Sequence, residues 1–245
     1  MGIIFKKLNR FLLILILMGT GIIAERVGLI EYVIDPNEYP FIIIFFWQHL
    51  ILVVYSMAIA TIIGLAVGII LTRKRFKKIA GVVMYIISLG QTIPSLAVLA
   101  LAMSFLGIGT KPAIFALIIY SILPIARNTL AGIIAVPPYL VNAAKGMGMP
   151  AWRILLEIEL PNATSVILTG FRVAMIINIG TAALAFLIGA GGLGDLIFSG
   201  ISLMRTEQLL AGAIPVTFMA LVADFLCEIL GLLIVSKGLR LASEH

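Results

Sequence analysis

The sequence predicts an all-α, polytopic transmembrane bundle of about six helices, and three observations carry that prediction. The chain of 245 residues is 62% hydrophobic and only 11% charged, whereas soluble domains carry about 25% charged residues. Its mean hydropathy is +1.21, and apolar runs long enough to cross the bilayer, which takes roughly 20 residues each, alternate with polar connections. The formal charge of +6 lies in short blocks at the ends of these runs, which indicates membrane topology rather than nucleic-acid binding.

The first apolar run covers residues 11–24 and follows a short basic stretch. It has the dimensions of a signal peptide, but no clear A-x-A-like cleavage site follows it, so a retained helix is favoured over a cleaved leader. The next stretch, residues 25–38, is acidic, and Pro36 and Pro40 are expected to interrupt a helix there. It is therefore predicted to be an exported loop, and residues 1–47 are assigned to a first helix and an external loop.

Five further spans are predicted between residues 48 and 240. The second span of the chain carries Gly64 and Gly68 at the GxxxG spacing that lets a neighbouring helix approach closely, although this spacing also arises by chance in apolar helices. Pro94 and Pro124 fall inside the third and fourth spans. The five predicted spans are residues 48–72, 79–105, 113–125 or slightly beyond, 163–188 and 209–235.

Basic residues orient the predicted bundle. With both termini in the cytoplasm, most basic residues lie inside, as membrane proteins prefer, and only Arg26, Lys111 and Arg205 fall outside. This orientation also places residues 127–162 in the cytoplasm, because that polar, proline-containing stretch has no apolar run long enough to span. The densest basic block connects the second and third spans and consists of Arg73, Lys74, Arg75, Lys77 and Lys78.

One segment within the predicted cytoplasmic stretch carries the most specific pattern in the chain. Residues 142–161 read NAAKGMGMPAWRILLEIELP. Asn142 suits the cap of a short helix, Gly148 permits a sharp exit with positive φ, and Pro150 suits the start of a second helix. Such an amphipathic helix is able to dock into a groove on a partner or to lie on the inner leaflet. Its apolar face at helical spacing is formed by Trp152, Ile154, Leu155 and Ile158.

This segment resembles the EAA loop of ABC importer permeases, in which E-A-A is followed by three residues, a glycine, nine residues and I-x-L-P. Every spacing matches, with Asn142 in place of the usual glutamate. The resemblance implies the type I permease fold and a loop, at about residues 140–162, that couples to a separate ATPase subunit. The residues expected to carry this role are Asn142, Ala143, Ala144, Lys145, Gly146, Met147, Gly148, Pro150, Trp152, Ile158, Leu160 and Pro161.

Two other segments resemble permeases for osmoprotectants such as glycine betaine, choline and carnitine. In residues 91–97, QTIPSLA, Pro94 breaks a backbone hydrogen bond beside polar side chains, which favours a pathway-facing helix over a purely structural kink. Residues 187–201 resemble the end of the fifth helix in these permeases and in methionine permeases. The residues expected to line the pathway are Gln91, Thr92, Pro94, Ser95, Gly191 and Gly192.

The second of these segments also contains the letters of a dinucleotide-binding loop, G-x-G-x-x-G, from Gly189 to Gly194. A dinucleotide site requires a preceding strand and an acidic residue about 20 positions later. Here the letters end a membrane span, and the residues near that offset are apolar. The nucleotide interpretation is therefore rejected.

Three charged residues are predicted to lie within the bilayer. Arg172 falls inside the fifth span, and Asp224 and Glu228 lie one turn apart in the sixth span at a similar depth. Because an unpaired charge in hydrocarbon is costly, Arg172 is expected to pair with Glu228 or Asp224. A structural role for this pair is favoured over a role in transport.

The sequence lacks a G-x-x-x-x-G-K-[ST] loop for ATP, so ATP is expected to be hydrolysed by a partner subunit and no cofactor to be bound by this chain. His49, His245 and Cys227 have no metal-ligand spacing, so neither a metal site nor a catalytic residue is predicted. A secondary transporter is the competing class, but such proteins usually contain repeated halves, and no repeat is visible.

The resemblance implies a set of partners in a bacterial inner membrane. They are an ABC ATPase subunit, a second permease that is identical or related, an extracytoplasmic binding protein and membrane lipid, with no nucleic acid. The expected cargo is a small osmoprotectant, and methionine or another small amphiphile is the alternative.

Overall fold

A computed structural model of the chain describes residues 25–235, except for the side chains of Lys77 and Gln91. The predicted first span, residues 11–24, lies outside the described residues. Within residues 25–235 the regular elements are all helical. They are α1 (Leu29–Ile34), α2 (Tyr39–Thr72), α3 (Lys77–Thr92), α4 (Ser95–Leu106), α5 (Thr110–Ile134), α6 (Pro138–Gly146), α7 (Ala151–Ile154), a π-helical turn (Leu155–Glu159), α8 (Leu160–Ala182), a 3₁₀ turn (Ala183–Ile188), α9 (Gly194–Ser202) and α10 (Thr206–Ile234).

Four helical runs in the described part of the chain are long and apolar enough to cross a membrane. They are α2, α5, the run from Ala151 to Ile188, and α10. The pair α3 and α4 passes the same test together, but the two helices are bent by 92° at their junction.

Helices α2 and α5 pack side by side through the GxxxG motif. A Cβ atom added to Gly64 would lie 2.8 Å from the Cβ atom of Ile125, and one added to Gly68 would lie 2.5 Å from the Cβ atom of Thr129. Specific packing at this motif is therefore confirmed. Along this contact the residue numbers of α2 and α5 increase in the same direction, so the two helices run parallel. The chain that connects the end of α2 to the start of α5 therefore has to cross the membrane once more. Helices α3 and α4 are thus one broken span.

A neighbouring side of α5 contacts α8, again through glycine. A Cβ atom on Gly170 would lie 2.6 Å from the carbonyl oxygen of Pro124, and one on Gly132 would lie 3.2 Å from the carbonyl oxygen of Ala163. The residue numbers run in opposite directions, so α5 and α8 are antiparallel. Helix α5 therefore packs closely against both α2 and α8 and is the central helix of the bundle.

A buried amide joins these three helices. Asn178 on α8 donates hydrogen bonds to the Oγ atoms of Ser56 on α2, at 2.9 Å, and of Ser121 on α5, at 2.8 Å. All three side chains are fully buried. Interhelical hydrogen bonds of this kind contribute on average about 0.6 kcal/mol each in membrane proteins, so their main effect here is to fix the register of the three helices.

The structure corrects several predicted boundaries. Helix α2 begins at Tyr39, and Pro40 lies in its first turn, where the missing N–H is not needed, so the expectation that Pro40 interrupts the helix was wrong. Helix α5 continues to Ile134 instead of ending near residue 125. The helical run that contains the predicted fifth span, hereafter the fifth membrane helix, extends from Ala151 to Ile188 instead of starting at residue 163, so helix reaches into the stretch 127–162 that was predicted to lie outside the span.

Candidate functional site

Residues 138–160 contain two short helices joined by a turn and connect α5 to α8. They are called the end segment hereafter. The N–H of Gly148 donates to the carbonyl oxygen of Lys145 at 2.9 Å, and the N–H of Met149 donates to that of Ala144 at 3.1 Å. Gly148 has a φ of 77°, as its position in the sequence indicated. Pro150 directly precedes α7, so the second helix also starts where it was predicted.

Asn142 does not cap a helix. The cap position of α6 is Pro137, and the helix starts at Pro138, whose fixed φ suits a first helical position. Asn142 therefore lies inside α6 with an exposed side chain. The capping role expected from the sequence was wrong because the double proline starts the helix earlier.

The apolar face predicted for the end segment is divided between two directions. Ile154 is only 5% exposed, and Leu155 and Leu160 pack against a small core formed by Ile133, Val136 and Ala163. These residues attach the segment to its own chain, so the prediction of one continuous docking face was wrong.

A different set of apolar side chains on the end segment faces outward. Met147 is 74% exposed and Trp152 is 64% exposed, and Tyr139 and Leu156 are also exposed. Ala144 is buried, whereas Ala143, Lys145 and Gly146 are exposed beside Met147. The end segment therefore presents apolar groups that no other described residue of the chain covers.

An ion pair attaches the end segment to the end of α2. Arg73, the first residue of the basic block, binds the carboxylate of Glu159 through its Nη2 atom, and the same guanidinium donates to the hydroxyl of Thr72. Glu159 ends the π-helical turn, and Pro161 follows it in α8. A π-helical turn accommodates the extra residue and the missing proline N–H without ending the helix, so the end segment and α8 are mechanically continuous.

The predicted third span is broken at Pro94. Helix α3 ends at Thr92 and α4 starts at Ser95, so the expected continuous crossing of residues 79–105 was wrong in detail. The hydroxyl of Tyr120 on α5 donates to the carbonyl oxygen of Ile93, which satisfies a backbone group freed by the break. Thr92 and Pro94 are exposed and Ser95 is half-buried, while the side chain of Gln91 lies outside the described part.

The glycine-rich loop after the fifth membrane helix packs against the start of α2. The N–H of Gly192 donates to the Oε1 atom of Gln48 at 2.9 Å, and Gly191 lies so close to the Gln48 side chain that a Cβ atom has no room. His49 is fully buried beside them, with its Nε2 atom 3.0 Å from the carbonyl oxygen of Ile179. The two predicted pathway segments are thus bonded to different helices, α5 at Pro94 and α2 at the glycine loop.

Arg172 lies against both acidic residues of α10. Its Nη2 atom donates to the Oδ2 atom of Asp224 at 2.5 Å, its Nε atom donates to the other carboxylate oxygen, and Nη2 is 3.8 Å from the Oε2 atom of Glu228. The Asp224 contact is bidentate, the stronger geometry for arginine and carboxylate. The three charges join α8 to α10 beside a cavity of about 220 Å³.

Three features of these sites were not predicted from the sequence. Gln48 and Asn178 are polar residues within apolar runs, and only their partners in space identify their roles. Arg127 was assigned to the cytoplasmic stretch, but the continuation of α5 to Ile134 places it within the helical span. The apolar residues that continue past Pro124 were the sequence signal that the helix extends beyond residue 125 and includes Arg127.

These features define a multi-pass membrane protein that presents an exposed helical turn at one end of the bundle. The model of the binding-protein-dependent transport system inner membrane component family matches residues 64–237. The chain belongs to this family and is a permease subunit of an ABC importer, a bacterial inner-membrane component.

Relatives within the family share a large part of the sequence. The chain is 44% identical to the carnitine transport permease protein OpuCB of Listeria monocytogenes over 198 residues, which cover 81% of this chain and 90% of that protein. It is 51% identical to the osmoprotectant import permease protein OsmY of Salmonella typhimurium over 179 residues, covering 73% and 76%. An inward-facing structure of the MetNI methionine ABC transporter aligns with a TM-score of 0.70 at 22% identity, covering 78% of this chain and 94% of that one, which shows the shared fold.

Proposed function

We propose that this chain forms the translocation pathway for a small osmoprotectant such as glycine betaine, choline or carnitine, within residues 48–240. The similarity to permeases named for carnitine and for osmoprotectants, at 44% and 51% identity over most of the chain, is the observation that carries the proposal. The pathway residues are Gln91, Thr92, Pro94 and Ser95 at the broken span and Gly191 and Gly192 at the glycine loop.

ATP is hydrolysed by a separate ATPase subunit, which binds the end segment. The exposure of Met147 and Trp152 supports this proposal, because large exposed apolar groups in a turn mark an interaction surface. Ile154, Leu155 and the Arg73–Glu159 ion pair hold the segment to α2 and α8. A movement of the ATPase is thereby transmitted to the membrane helices rather than absorbed by a loose loop.

The complete importer contains two permease chains, two ATPases and an extracytoplasmic binding protein. Permeases of related systems carry paired names, such as OpuCB and OpuCD in Bacillus subtilis, which supports a second, related permease beside this one. The ion pair of Arg172 with Asp224 and Glu228 has a structural role, because the bidentate contact joins α8 to α10.

Uptake of labelled substrate tests the proposed cargo directly. Cells that lack this gene, and the same cells carrying it on a plasmid, are compared for uptake of glycine betaine, carnitine, choline and methionine under hyperosmotic stress. Restored uptake of at least one quaternary ammonium compound is the expected result. Restored uptake of methionine alone, or of none of the four, would contradict the proposed cargo.

A further inference from the structure

Arg127 occupies an unusual place on the central helix. It lies seven residues before the end of α5 at Ile134, which at 1.5 Å per residue is about 10 Å from that end and about 25 Å from the other. Its side chain is exposed on the side of α5 that faces α3. Among residues 25–235 it has neither an ion pair nor a hydrogen-bond partner. An arginine at this depth without a partner is costly.

A cavity between α3 and α5 opens directly at this guanidinium. Its volume is about 620 Å³, within the range of small-molecule sites. Helix α3 contributes Tyr85, Ser88 and Met84 to its wall, and α5 contributes Arg127 and Leu130. A neighbouring cavity shares Gly81, Met84 and Leu130 with it and extends to Thr72, at the end of α2 beside the end segment. The two cavities form a continuous groove along the broken span.

Arg127 and Tyr85 of the groove are able to bind the two oppositely charged ends of one zwitterionic molecule. The guanidinium of Arg127 is a bidentate donor for a carboxylate, and the exposed ring of Tyr85 is a surface on which a quaternary ammonium group binds by cation–π attraction. A zwitterion with both groups complements the cavity in charge. A quaternary ammonium compound without a carboxylate finds only the tyrosine.

We propose that Arg127 and Tyr85 form a substrate contact in the translocation pathway, in which Arg127 binds the carboxylate of a zwitterionic osmoprotectant and Tyr85 contacts its quaternary ammonium group. This inference rests on the proposed function. It adds a selectivity for carboxylate-bearing over carboxylate-free substrates within the permease itself, and it moves the centre of the pathway from the Pro94 break to the groove between α3 and α5.

The test compares initial rates of glycine betaine and choline uptake in cells that carry the complete importer. Arg127→Gln is expected to lower betaine uptake about tenfold, the loss typical of a hydrogen bond to a charged group, and to leave choline uptake within about twofold. Tyr85→Leu is expected to lower both. Lys111→Gln is the matched control, because Lys111 is an exposed cation on the same helix outside the cavity, and it leaves both rates unchanged.

Three outcomes would overturn the inference. If betaine uptake is unchanged in Arg127→Gln, the guanidinium does not touch substrate. If both rates fall together, or less assembled importer is recovered from the membrane, Arg127 acts in folding or pairs with another subunit. If the loss in reconstituted vesicles occurs with anionic lipid and disappears in phosphatidylcholine, its ligand is an anionic lipid headgroup. Uptake of neither compound by the unmodified importer would instead contradict the proposed function.

Discussion

Glycine determines how closely the central helices approach. Gly68 allows the backbone of α2 to lie against Thr129 and the carbonyl oxygen of Ala126, with 2.5 and 2.9 Å available for a Cβ atom. In lipid, association of helices depends on such close packing, since lipid tails compete equally for apolar side chains. The stability of the α2–α5 pair is therefore concentrated at a few small residues.

Replacement of Gly68 by valine is expected to destabilise the protein by about 1–3 kcal/mol, the cost of overpacking a close contact. Thermal unfolding of the detergent-purified protein provides the measurement. Gly180→Val is the matched control, because Gly180 lies on a membrane helix with open space around its Cβ position. Equal unfolding temperatures for the two variants would show that the α2–α5 contact is not close.

Buried polar residues show where interpretation of the sequence stops at this scale. The ion pair of Arg172 was expected because a charge in an apolar run demands an opposite charge at the same depth. Asn178 does not require an oppositely charged partner. Its uncharged amide is able to bond to backbone or hydroxyl groups on any of several helices. The choice of Ser56 and Ser121 depends on helix contacts that only the folded chain defines.

At the scale of elements, the turn of the end segment and the start of its second helix were predicted from the sequence. The glycine at the turn and the start of α7 follow from residue types that act locally. The direction of each apolar side chain does not, because residues 151–160 join the fifth membrane helix and turn Ile154 and Leu155 toward Ile133 and Val136. Tertiary packing thus decided which side chains remain for a partner.

Gly148 is the residue of the end segment whose conformation no β-branched residue adopts readily. Nothing lies within 4 Å of the Cβ position of Gly148, so a larger side chain has space there. Valine would nevertheless be strained, because the φ of 77° is disfavoured for β-branched residues. Gly148→Val is expected to reduce both co-purification of the ATPase subunit and uptake. Gly28→Val, at an equally open position with a φ of 73° outside the end segment, is expected to retain them. Wild-type behaviour of Gly148→Val would contradict the role of the turn.

The broken span shows a second limit. Pro94 predicted a lost backbone bond, but whether a proline bends a helix slightly or breaks it depends on what receives the freed groups. Here the hydroxyl of Tyr120 donates to the carbonyl oxygen of Ile93, and the bend between α3 and α4 is 92°. The partner lies on another span, so the sequence around Pro94 could not specify the angle.

At the scale of the whole molecule, the contacts connect the two ends of the bundle. The end segment is joined to α2 by the Arg73–Glu159 pair and continues into α8. At the other end, the glycine loop holds α2 through Gln48, and the N–H of Gly109 donates to the carbonyl oxygen of Ile188 at 2.8 Å. If the ATPase binds the end segment as proposed, a displacement that it imposes is expected to reach α2 and α8 as rigid elements, with the groove between α3 and α5 beside them.

Site-directed cross-linking tests most directly the claim that the end segment receives the ATPase. Cysteine is introduced in place of Met147 in a chain whose Cys227 is replaced by alanine, and a short thiol–amine cross-linker is added to the membranes. Met204, 94% exposed in the turn between α9 and α10 at the opposite end of the bundle, is the matched position. A cross-linked product of permease and ATPase is expected from position 147, and none from position 204. No ATPase product from position 147, or labelling of that cysteine from the outer face of the membrane, would contradict it.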